Sequence, residues 1–315
     1  MPDPTESFRP PSGKQYEIRW GEQRAVATEV GATLREYTVD GVATLDGFSI
    51  EEFAPGGRGQ VLAPWPNRLG DGRYAYEGRE GRAALDEPER GNAIHGLVRW
   101  LEWRRLSHSE SAVALGCTLP PQPAYPWLLE VRVDYSLGEQ GMTVTTEATN
   151  HSEIPAPFGV GFHPYLTVGT PTVDDSWLQI PARQRFVTND RGLPVGKAEL
   201  AGTEFDFADG RPIGSTKLDT AYTNLVPGAD GRIVALLSTP DGDREISLWV
   251  DAAYRHLMVF TGDTLEPPER RRSVAIEPMT CPPDAFRSGI DLIRLEPGAS
   301  WRARWGITPL VVRSS

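Results

Sequence analysis

Residues 131–137 read VRVDYSL, and every second residue of this stretch is apolar. A two-residue period places the apolar side chains on one face of an extended strand. The same period recurs in three further stretches, at 113–119, 246–250 and 301–307. Turn dipeptides separate strand-like stretches along the chain, namely Asp71-Gly72, Asp209-Gly210, Pro227-Gly228 and Asp241-Gly242. We therefore expect half-buried strands joined by tight turns.

Glycine and proline interrupt the chain too often for long helices. Among its 315 residues are 32 glycines and 28 prolines, and we find no ten-residue amphipathic helix pattern. The predicted fold class is all-β, a large antiparallel β-sandwich that is longer than an immunoglobulin-type domain. No repeat or composition shift marks a linker. We predict a loosely ordered tail at residues 1–14 and a single domain over residues 15–315.

Charge and composition narrow the class of partner. The net charge is −11, and the absence of a dense lysine and arginine run argues against a nucleic-acid partner. The cluster 269–272, ERRR, follows two prolines and is interpreted as a solvated loop tip, with anion binding as the alternative. The polar N-terminus and the lack of a long apolar run predict a cytoplasmic protein that does not bind a membrane. We expect a monomer or a weak dimer.

Two residues that each precede a proline are candidates for proton transfer. His163 lies in the segment GFHPYL, and Glu277 lies in VAIEPMTCPPDAF. Proline disfavours the α conformation in the residue before it, so we expect both residues to be extended. A proton donor and a proton acceptor are the minimum that general acid–base catalysis requires. Phe162 and Tyr165, beside His163, are predicted to form an apolar wall or to belong to the core.

Each of these two residues also has a purely structural interpretation. Glu277 is predicted to lie at the end of a buried strand formed by the apolar residues 274–276, and burial would raise its pKa toward neutrality. Alternatively, its carboxylate caps backbone amides of the loop at 280–284. His163 is alternatively a buried histidine that serves packing.

Three other segments contain polar residues suited to binding. Asn67 and Arg68 follow two prolines and precede a hairpin signal at Asp71-Gly72. Their amide and guanidinium groups suit hydroxyls or anions; alternatively, the arginine ties loop carbonyls together. His95 precedes Gly96, which allows close approach by a ligand or another backbone; it is alternatively a structural histidine. Asp219, in KLDTAYTNL, is a second candidate carboxylate or opens an Asx-type turn.

Seven segments, taken in order, resemble the aldose 1-epimerase (galactose mutarotase) family, and the similarity runs through nearly the whole chain. They are GATLREYTVDGVATLDGF (31–48), APWPNRLGDGRYAYEG (63–78), NAIHG (92–96), GFHPYL (161–166), LDTAYTNL (218–225), IEPMTCPPDAF (276–286) and LEPGASWRARWGI (295–307). The resemblance implies a galactose mutarotase-like β-supersandwich with a sugar cleft on one face. It also implies an enzyme that uses no cofactor and no metal ion.

The resemblance assigns roles to the candidate residues. It implies that His163 is the general acid at the ring oxygen and that Glu277 is the general base at the anomeric hydroxyl. The residues that hold sugar hydroxyls would be Asn67, Arg68, His95 and Asp219. The implied function is that of a mutarotase, an isomerase that interconverts the α and β anomers of a free aldose or aldose derivative by ring opening and closure.

The sequence does not determine which sugar is the substrate. Met258 occupies a position where family members often have glutamine, and the segment before His95 resembles the branch that includes sulfoquinovose mutarotases. Glucose, galactose, sulfoquinovose and a phosphorylated hexose are all candidates. Arg73 and Arg99 are candidate contacts for an anionic substituent.

Other functions are compatible with the same residues. One is a hexose-6-phosphate epimerase, and another is a glycoside hydrolase that uses Glu277 and Asp219 as its paired carboxylates. A third is a non-catalytic sugar-binding protein in which tryptophans stack on sugar rings, with Trp65, Trp100, Trp103 and Trp127 as candidates. His95, His163 and Glu277 are also zinc-ligand types, although no paired-ligand spacing supports a zinc site.

Overall fold

The chain folds almost entirely into strands, which confirms the predicted all-β class. The structure is a computed structural model that describes residues 9–312, with the backbone alone for residues 309–312. Within this range there are 27 strands, one short α-helix and three single 3-10 turns. No helix in the same range is long and apolar enough to cross a membrane.

The strands are β1 (Gln15–Trp20), β2 (Gln23–Thr28), β3 (Leu34–Val39), β4 (Val42–Ala43), β5 (Val61–Leu62), β6 (Arg68–Gly70), β7 (Arg73–Tyr76), β8 (Arg79–Arg82), β9 (Asn92–Ile94), β10 (Arg104–His108), β11 (Ala112–Leu119), β12 (Leu129–Gly138), β13 (Gly141–Asn150), β14 (Ala156–Phe158), β15 (Gly161–Phe162), β16 (Tyr165–Leu166), β17 (Trp177–Gln179), β18 (Ala182–Thr188), β19 (Pro194–Glu199), β20 (Arg211–Pro212), β21 (Asp219–Leu225), β22 (Ile233–Ser238), β23 (Arg244–Val250), β24 (His256–Phe260), β25 (Val274–Met279), β26 (Ile293–Leu295) and β27 (Ser300–Val312). Helix α1 spans Ala285–Ser288, and the 3-10 turns span Pro55–Gly57, Pro88–Arg90 and Val173–Asp175.

Two large antiparallel sheets dominate the fold. The nine-stranded sheet has the order β10-β11-β12-β13-β27-β23-β22-β17-β20. The eight-stranded sheet has the order β19-β18-β21-β24-β25-β15-β5, and β16 also pairs with β25. A separate four-stranded sheet, β1-β2-β3-β4, begins the chain. The four stretches with a two-residue apolar period all lie in the nine-stranded sheet, as β11, β12, β23 and β27.

A continuous hydrophobic core lies between the two large sheets. Phe162 of β15 packs against Trp305 of β27, with the ring centroids 5.0 Å apart. On β12, the predicted inward-facing residues Val131, Val133 and Tyr135 are fully buried. Removing this apolar surface from water is the main term that favours the sandwich. Phe162 therefore belongs to the core, which was one of its two predicted positions.

The beginning of the described chain packs against the first sheet. Ser12 is buried, and its carbonyl oxygen accepts a hydrogen bond from the Val30 N–H. Residues 1–8 of the predicted tail lie outside the described residues. The single-domain boundary at residue 15 stays a prediction.

The turn at Asp71-Gly72 forms, but it does not close a hairpin. Both residues have positive φ, 58° and 59° respectively. The two strands that they connect pair elsewhere, because β6 pairs with β9 and β7 pairs with β8. The Asp71 N–H donates to the Gly91 carbonyl oxygen, so a distant segment takes the place of the expected partner strand. The turn was predicted correctly, and the hairpin was wrong.

One face of the eight-stranded sheet carries Asp219 and Glu277, two of the predicted site residues. Ala221, Met258 and Glu277 are direct neighbours across β21, β24 and β25. Because side chains alternate between the faces of a strand, Asp219 and Phe260 share this face with Glu277. The intervening residues, such as Val259 and Ile276, belong to the core on the opposite face.

Candidate active site

All six predicted site residues line one cleft of about 350 Å³. They are Asn67, Arg68, His95, His163, Asp219 and Glu277. The cleft is also lined by Tyr165, and by several residues that sequence reasoning did not select: Gly56, Glu87, Glu89, Arg90, Ile94, Phe260, Thr264 and Leu265. Residues more than 200 positions apart in the chain therefore meet in one cavity.

Strand register brings His163 opposite Glu277. The strands β15 and β16 flank His163-Pro164 and both pair with β25, through Gly161 to Met279 and through Tyr165 to Ala275. This register leaves His163 facing Glu277 where the pairing is interrupted. The sequence predicted that Glu277 lies at the end of a strand. In the structure it lies inside β25.

The two side chains are in contact at the wall of the cleft. His163 Nε2 lies 3.4 Å from Glu277 Oε1, and both side chains are almost fully buried. Among the described residues, neither His163 Nδ1 nor Glu277 Oε2 has a hydrogen-bond partner. The carboxylate therefore does not cap the amides of the following loop, which was the structural alternative. Two unsatisfied buried polar atoms at one point are costly for stability and are characteristic of functional sites.

Burial shifts both protonation equilibria in the direction of neutral groups. It lowers the pKa of His163 to about 3. Burial, reinforced by the negative charge of Asp219, raises the pKa of Glu277 well above its ordinary value. The pair consequently favours a protonated carboxyl beside a neutral imidazole. Transfer of one proton across the contact converts this state into a carboxylate beside an imidazolium.

The His163 ring contacts both an aromatic ring and a glycine turn. Tyr165 stacks on it with the ring planes 7° apart and the centroids separated by 4.9 Å. A Cβ added to Gly57 would lie 3.0 Å from His163 Cδ2, so the glycine turn is also close to the imidazole. The Tyr165 hydroxyl donates to the Gly56 carbonyl oxygen at 2.8 Å, which ties the ring to the same turn. The imidazole is thereby held in one orientation.

We expect Gly57→Ala to lower the rate of the reaction at this site far more than it lowers stability. The new methyl group would push the imidazole away, and a displacement of about 1 Å can cost on the order of 100-fold in rate. Gly41→Ala is the matched control, because Gly41 also has positive φ but no atom within 4 Å of the added Cβ. Steady-state rates and melting temperatures of both variants test this. Equal rates would show that the turn does not position His163.

Asn67 and His95 support each other through their backbones. Both have positive φ, and the His95 N–H donates to the Asn67 carbonyl oxygen at 2.9 Å. The Asn67 N–H donates to His95 Nδ1 at 3.2 Å, so neutral His95 carries its proton on Nε2. Burial and the nearby His163 hold the pKa of His95 well below its usual range. His95 is thus a neutral hydrogen-bond donor at the cleft wall.

The close approach expected at Gly96 is made by another part of the backbone. A Cβ added to Gly96 would lie 2.1 Å from the Ala63 carbonyl oxygen. This contact packs the His95 segment against the Asn67 segment and explains why a residue without a side chain is needed there.

Arg68 joins two carboxylates across the cleft. Its Nε donates to both oxygens of Glu87, at 3.0 and 3.2 Å, and its Nη2 donates to Asp219 Oδ2 at 3.2 Å. Asn92 Nδ2 also donates to Glu87, at 2.8 Å. The side-chain partners of Arg68 are therefore carboxylates, and not the loop carbonyls of the structural alternative.

Three residues considered for substrate choice lie outside the cleft lining. Met258 is buried with Phe186, Ala221 and Met279 in a small apolar cluster on the same sheet face as Glu277. Arg73 lies in β7 with an exposed side chain. Arg99 pairs with Asp86 and lies over the Trp100 ring, 5.2 Å from its centroid.

The tryptophans considered for sugar stacking are mostly core residues. Trp65, Trp103 and Trp127 are buried, whereas Trp100 is 51% exposed and does not line the cleft. Within the described residues, no group of three or more histidine, cysteine, aspartate or glutamate side chains is arranged to hold a metal ion.

Comparison with known proteins identifies the family of the chain. The sequence model of the family described as Aldose 1-epimerase matches residues 14–308. The chain is 33% identical over 297 residues to the uncharacterized protein YihR of Escherichia coli K12, covering 94% of this chain and 93% of YihR.

Solved structures give the same result for the fold. The GalM/aldose epimerase homologue from C. elegans superposes with a TM-score of 0.85 at 18% identity, covering 96% of this chain and 99% of that one. A galactose mutarotase-like protein from Clostridium acetobutylicum gives 0.81 at 16% identity, with 94% and 95% covered. The fold is that of the galactose mutarotase-like β-sandwiches. The chain belongs to the aldose 1-epimerase family, a family of isomerases.

Proposed function

We propose that this protein interconverts the α and β anomers of a free aldose or aldose derivative, with His163 and Glu277 as the acid–base pair. The contact of 3.4 Å between the buried His163 Nε2 and Glu277 Oε1, which both line the cleft, carries the proposal. The remaining cleft residues, Asn67, Arg68, His95 and Asp219, supply donors and acceptors for sugar hydroxyls.

Ring opening requires two proton transfers at neighbouring oxygens. The Glu277 carboxylate takes the proton from the anomeric hydroxyl, while the His163 imidazolium gives a proton to the ring oxygen. The bond between the anomeric carbon and the ring oxygen breaks, and a carbonyl forms. Rotation about the adjacent carbon–carbon bond turns the other face of the carbonyl toward the hydroxyl. Closure reverses both transfers, so the protein ends as it began.

The compact geometry of the pair suits this reaction. The anomeric hydroxyl and the ring oxygen share one carbon, so an acid and a base that serve them must lie close together. Opening converts the ion pair of His163 and Glu277 into the neutral pair, and closure restores it. Because burial favours the neutral pair, it lowers the energy of the state in which the ring is open.

We predict that kcat/KM does not decrease near pH 6.5, where protonation of an ordinary histidine would reduce it. The active pair holds one transferable proton, and it gains a second only near the lowered pKa of His163, about 3. It loses the first proton only above the raised pKa of Glu277. After subtraction of the uncatalysed rate, kcat/KM should not fall as the pH is lowered from about 6.5 to 4, the range in which an ordinary histidine gains a proton. A fall in kcat/KM on acidification through about pH 6 would mean that His163 titrates as a solvated histidine.

The geometry favours epimerisation over glycoside hydrolysis. Hydrolysis by paired carboxylates needs Glu277 and Asp219 to act together on one bond. Here Glu277 contacts a histidine, and Asp219 accepts a hydrogen bond from Arg68 on a strand separated from β25 by β24. Each carboxylate thus has a different, basic neighbour.

Anomer-exchange NMR tests the function and the sugar together. The panel comprises glucose, galactose, sulfoquinovose and hexose 6-phosphates, with chromogenic glycosides assayed in parallel. Exchange catalysed for one sugar class supports the proposal. Release of chromophore without exchange would favour a hydrolase, and binding without either would favour a sugar-binding protein.

A further inference from the structure

Arg90 brings a second guanidinium to the end of the cleft where Asp219 lies. Its Nη1 is 3.8 Å from Asp219 Oδ2 and 3.7 Å from Glu87 Oε1. Both distances exceed the range of an N–H···O hydrogen bond. The side chain is about one-third exposed and lines the cleft. Arg90 is therefore close to two carboxylates but is hydrogen-bonded to neither.

The backbone that carries Arg90 is firmly held. Arg191, 101 residues further along the chain, donates from Nε to the Arg90 carbonyl oxygen at 2.7 Å. Its Nη2 donates to the Gly91 carbonyl oxygen at 2.7 Å and to Asp71 Oδ1 at 2.8 Å. These hydrogen bonds fix the backbone of the 3-10 turn Pro88–Arg90 beside the cleft. A fixed backbone lowers the entropic cost of placing the Arg90 guanidinium against a ligand.

The positive charges at this end of the cleft are offset. Glu87 and Asp219 neutralise Arg68 and Arg90, and Glu89 also lines the cleft, so there is no excess positive charge to attract an anion. Instead, a guanidinium donor and a carboxylate acceptor face each other across a gap. A hydroxyl group both accepts and donates, so it satisfies both partners at once.

We propose that Arg90 is a specificity-determining residue that, together with Asp219, binds one ring or exocyclic hydroxyl of the sugar away from the reacting carbon. The hydroxyl accepts a hydrogen bond from Arg90 and donates one to Asp219. This inference rests on the proposed anomerase activity. It requires no anionic group on the sugar, and it leaves the proton transfers to His163 and Glu277.

A series of deoxy sugars tests the contact. We expect Arg90→Gln to raise KM by about 10- to 100-fold for the best hexose, because a hydrogen bond to a charged group is lost, with little change in kcat. Wild-type protein should show a similar loss for one member of the series of 2-, 3-, 4- and 6-deoxy hexoses. For that deoxy sugar alone, Arg90→Gln should cause no further loss. Arg90→Lys should recover part of the affinity.

Several outcomes would overturn the assignment. An unchanged KM for the parent hexose would remove Arg90 from the site, and an equal loss for every deoxy sugar would give it a structural role. A loss confined to hexose 6-phosphates would identify an anion contact in place of the hydroxyl. Arg104→Gln, at an exposed arginine on β10, is the matched control. Absence of exchange by wild-type protein on every sugar would refute the proposed function itself, which is a separate result.

Discussion

Replacing either member of the buried pair should abolish catalysed anomer exchange. Each general acid or base contributes about 10²–10⁴ in rate, so we expect losses of this size for His163→Ala and for Glu277→Gln. Glutamine preserves the shape of Glu277 but cannot accept the anomeric proton. Because the two transfers are coupled, the double variant should be little worse than either single one. Saturation-transfer NMR on the preferred sugar measures each rate.

A surface pair of the same chemistry provides the control. His151 and Glu130 lie 3.1 Å apart, yet both are about 40–45% exposed and neither lines the cleft. His151→Ala and Glu130→Gln should leave exchange unchanged. Circular dichroism and melting curves would test whether the site variants remain folded. Wild-type exchange by folded His163→Ala or Glu277→Gln would refute the acid–base assignment.

Loss of activity at this site should come with a gain in stability at neutral pH. The unfolded chain ionises Glu277 freely, whereas the buried carboxyl resists ionisation, because its pKa is raised in the folded state. Such a group costs stability as pH rises above its unfolded pKa. Glu277→Gln removes that cost, so its melting temperature at pH 7 should equal or exceed that of the wild type. This is the usual conflict between stability and function at buried sites.

Local sequence patterns predicted the fold class well. The alternation in VRVDYSL and its three counterparts located four strands of one sheet, because side-chain period depends only on neighbours along the chain. Pairing was harder to predict. The turn at Asp71-Gly72 formed as expected. The two strands that it connects do not pair with each other, because β6 pairs with β9 and β7 pairs with β8. Register depends on contacts that no short segment encodes.

The composition of the site was predicted mainly through resemblance. The prolines after His163 and Glu277 indicated extended backbone, but only the family motifs indicated that the two would act together. Glu87 and Arg90 were missed, since the segment DEPERG has no periodicity and reaches the cleft through Arg191, about 100 residues away. No sequence signal identifies a turn that is positioned by so distant a side chain.

The arginine cluster at 269–272 shows the same limit. It was interpreted as a solvated loop tip, but two of its arginines form ion pairs with other segments of the chain. Arg271 pairs with Asp174 and Asp263, and Arg272 pairs with Asp46. A run of charged residues is usually interpreted as solvated because burying an unpaired charge costs free energy. Charges that are paired can instead form ion pairs between separate segments of the chain.

Asp46 accepts hydrogen bonds from three side chains, one of them the buried Arg58, and its removal should strongly destabilise the fold. Its Oδ2 accepts hydrogen bonds from Arg58, Arg272 and Ser273, at 3.2, 3.0 and 2.6 Å. Arg58 is almost completely buried, and its guanidinium lies 4.4 Å above the centroid of the Tyr165 ring. Tyr165 in turn stacks on His163. The ion pair thus supports the stacked rings of Tyr165 and His163.

We expect Asp46→Ala to lower the free energy of unfolding by about 3–5 kcal/mol, because it leaves the Arg58 charge buried without its counterion. Urea denaturation at pH 7 measures this loss. Activity should fall as well, since a guanidinium that moves toward water no longer holds Tyr165 against His163. Asp134→Ala, which removes a partner of the half-exposed Arg132, should cost about 0–1 kcal/mol.

A double variant separates the charge from the packing. If the cost of Asp46→Ala arises from an uncompensated cation, then adding Arg58→Met should recover much of the stability, because an apolar side chain of similar length fills the same space. The double variant should then be more stable than Asp46→Ala alone. Additive losses would instead mean that Arg58 stabilises the fold through its contact with Tyr165, and the ion pair would be secondary. Recovery of stability without recovery of exchange would show that the guanidinium itself is needed to hold the Tyr165–His163 stack.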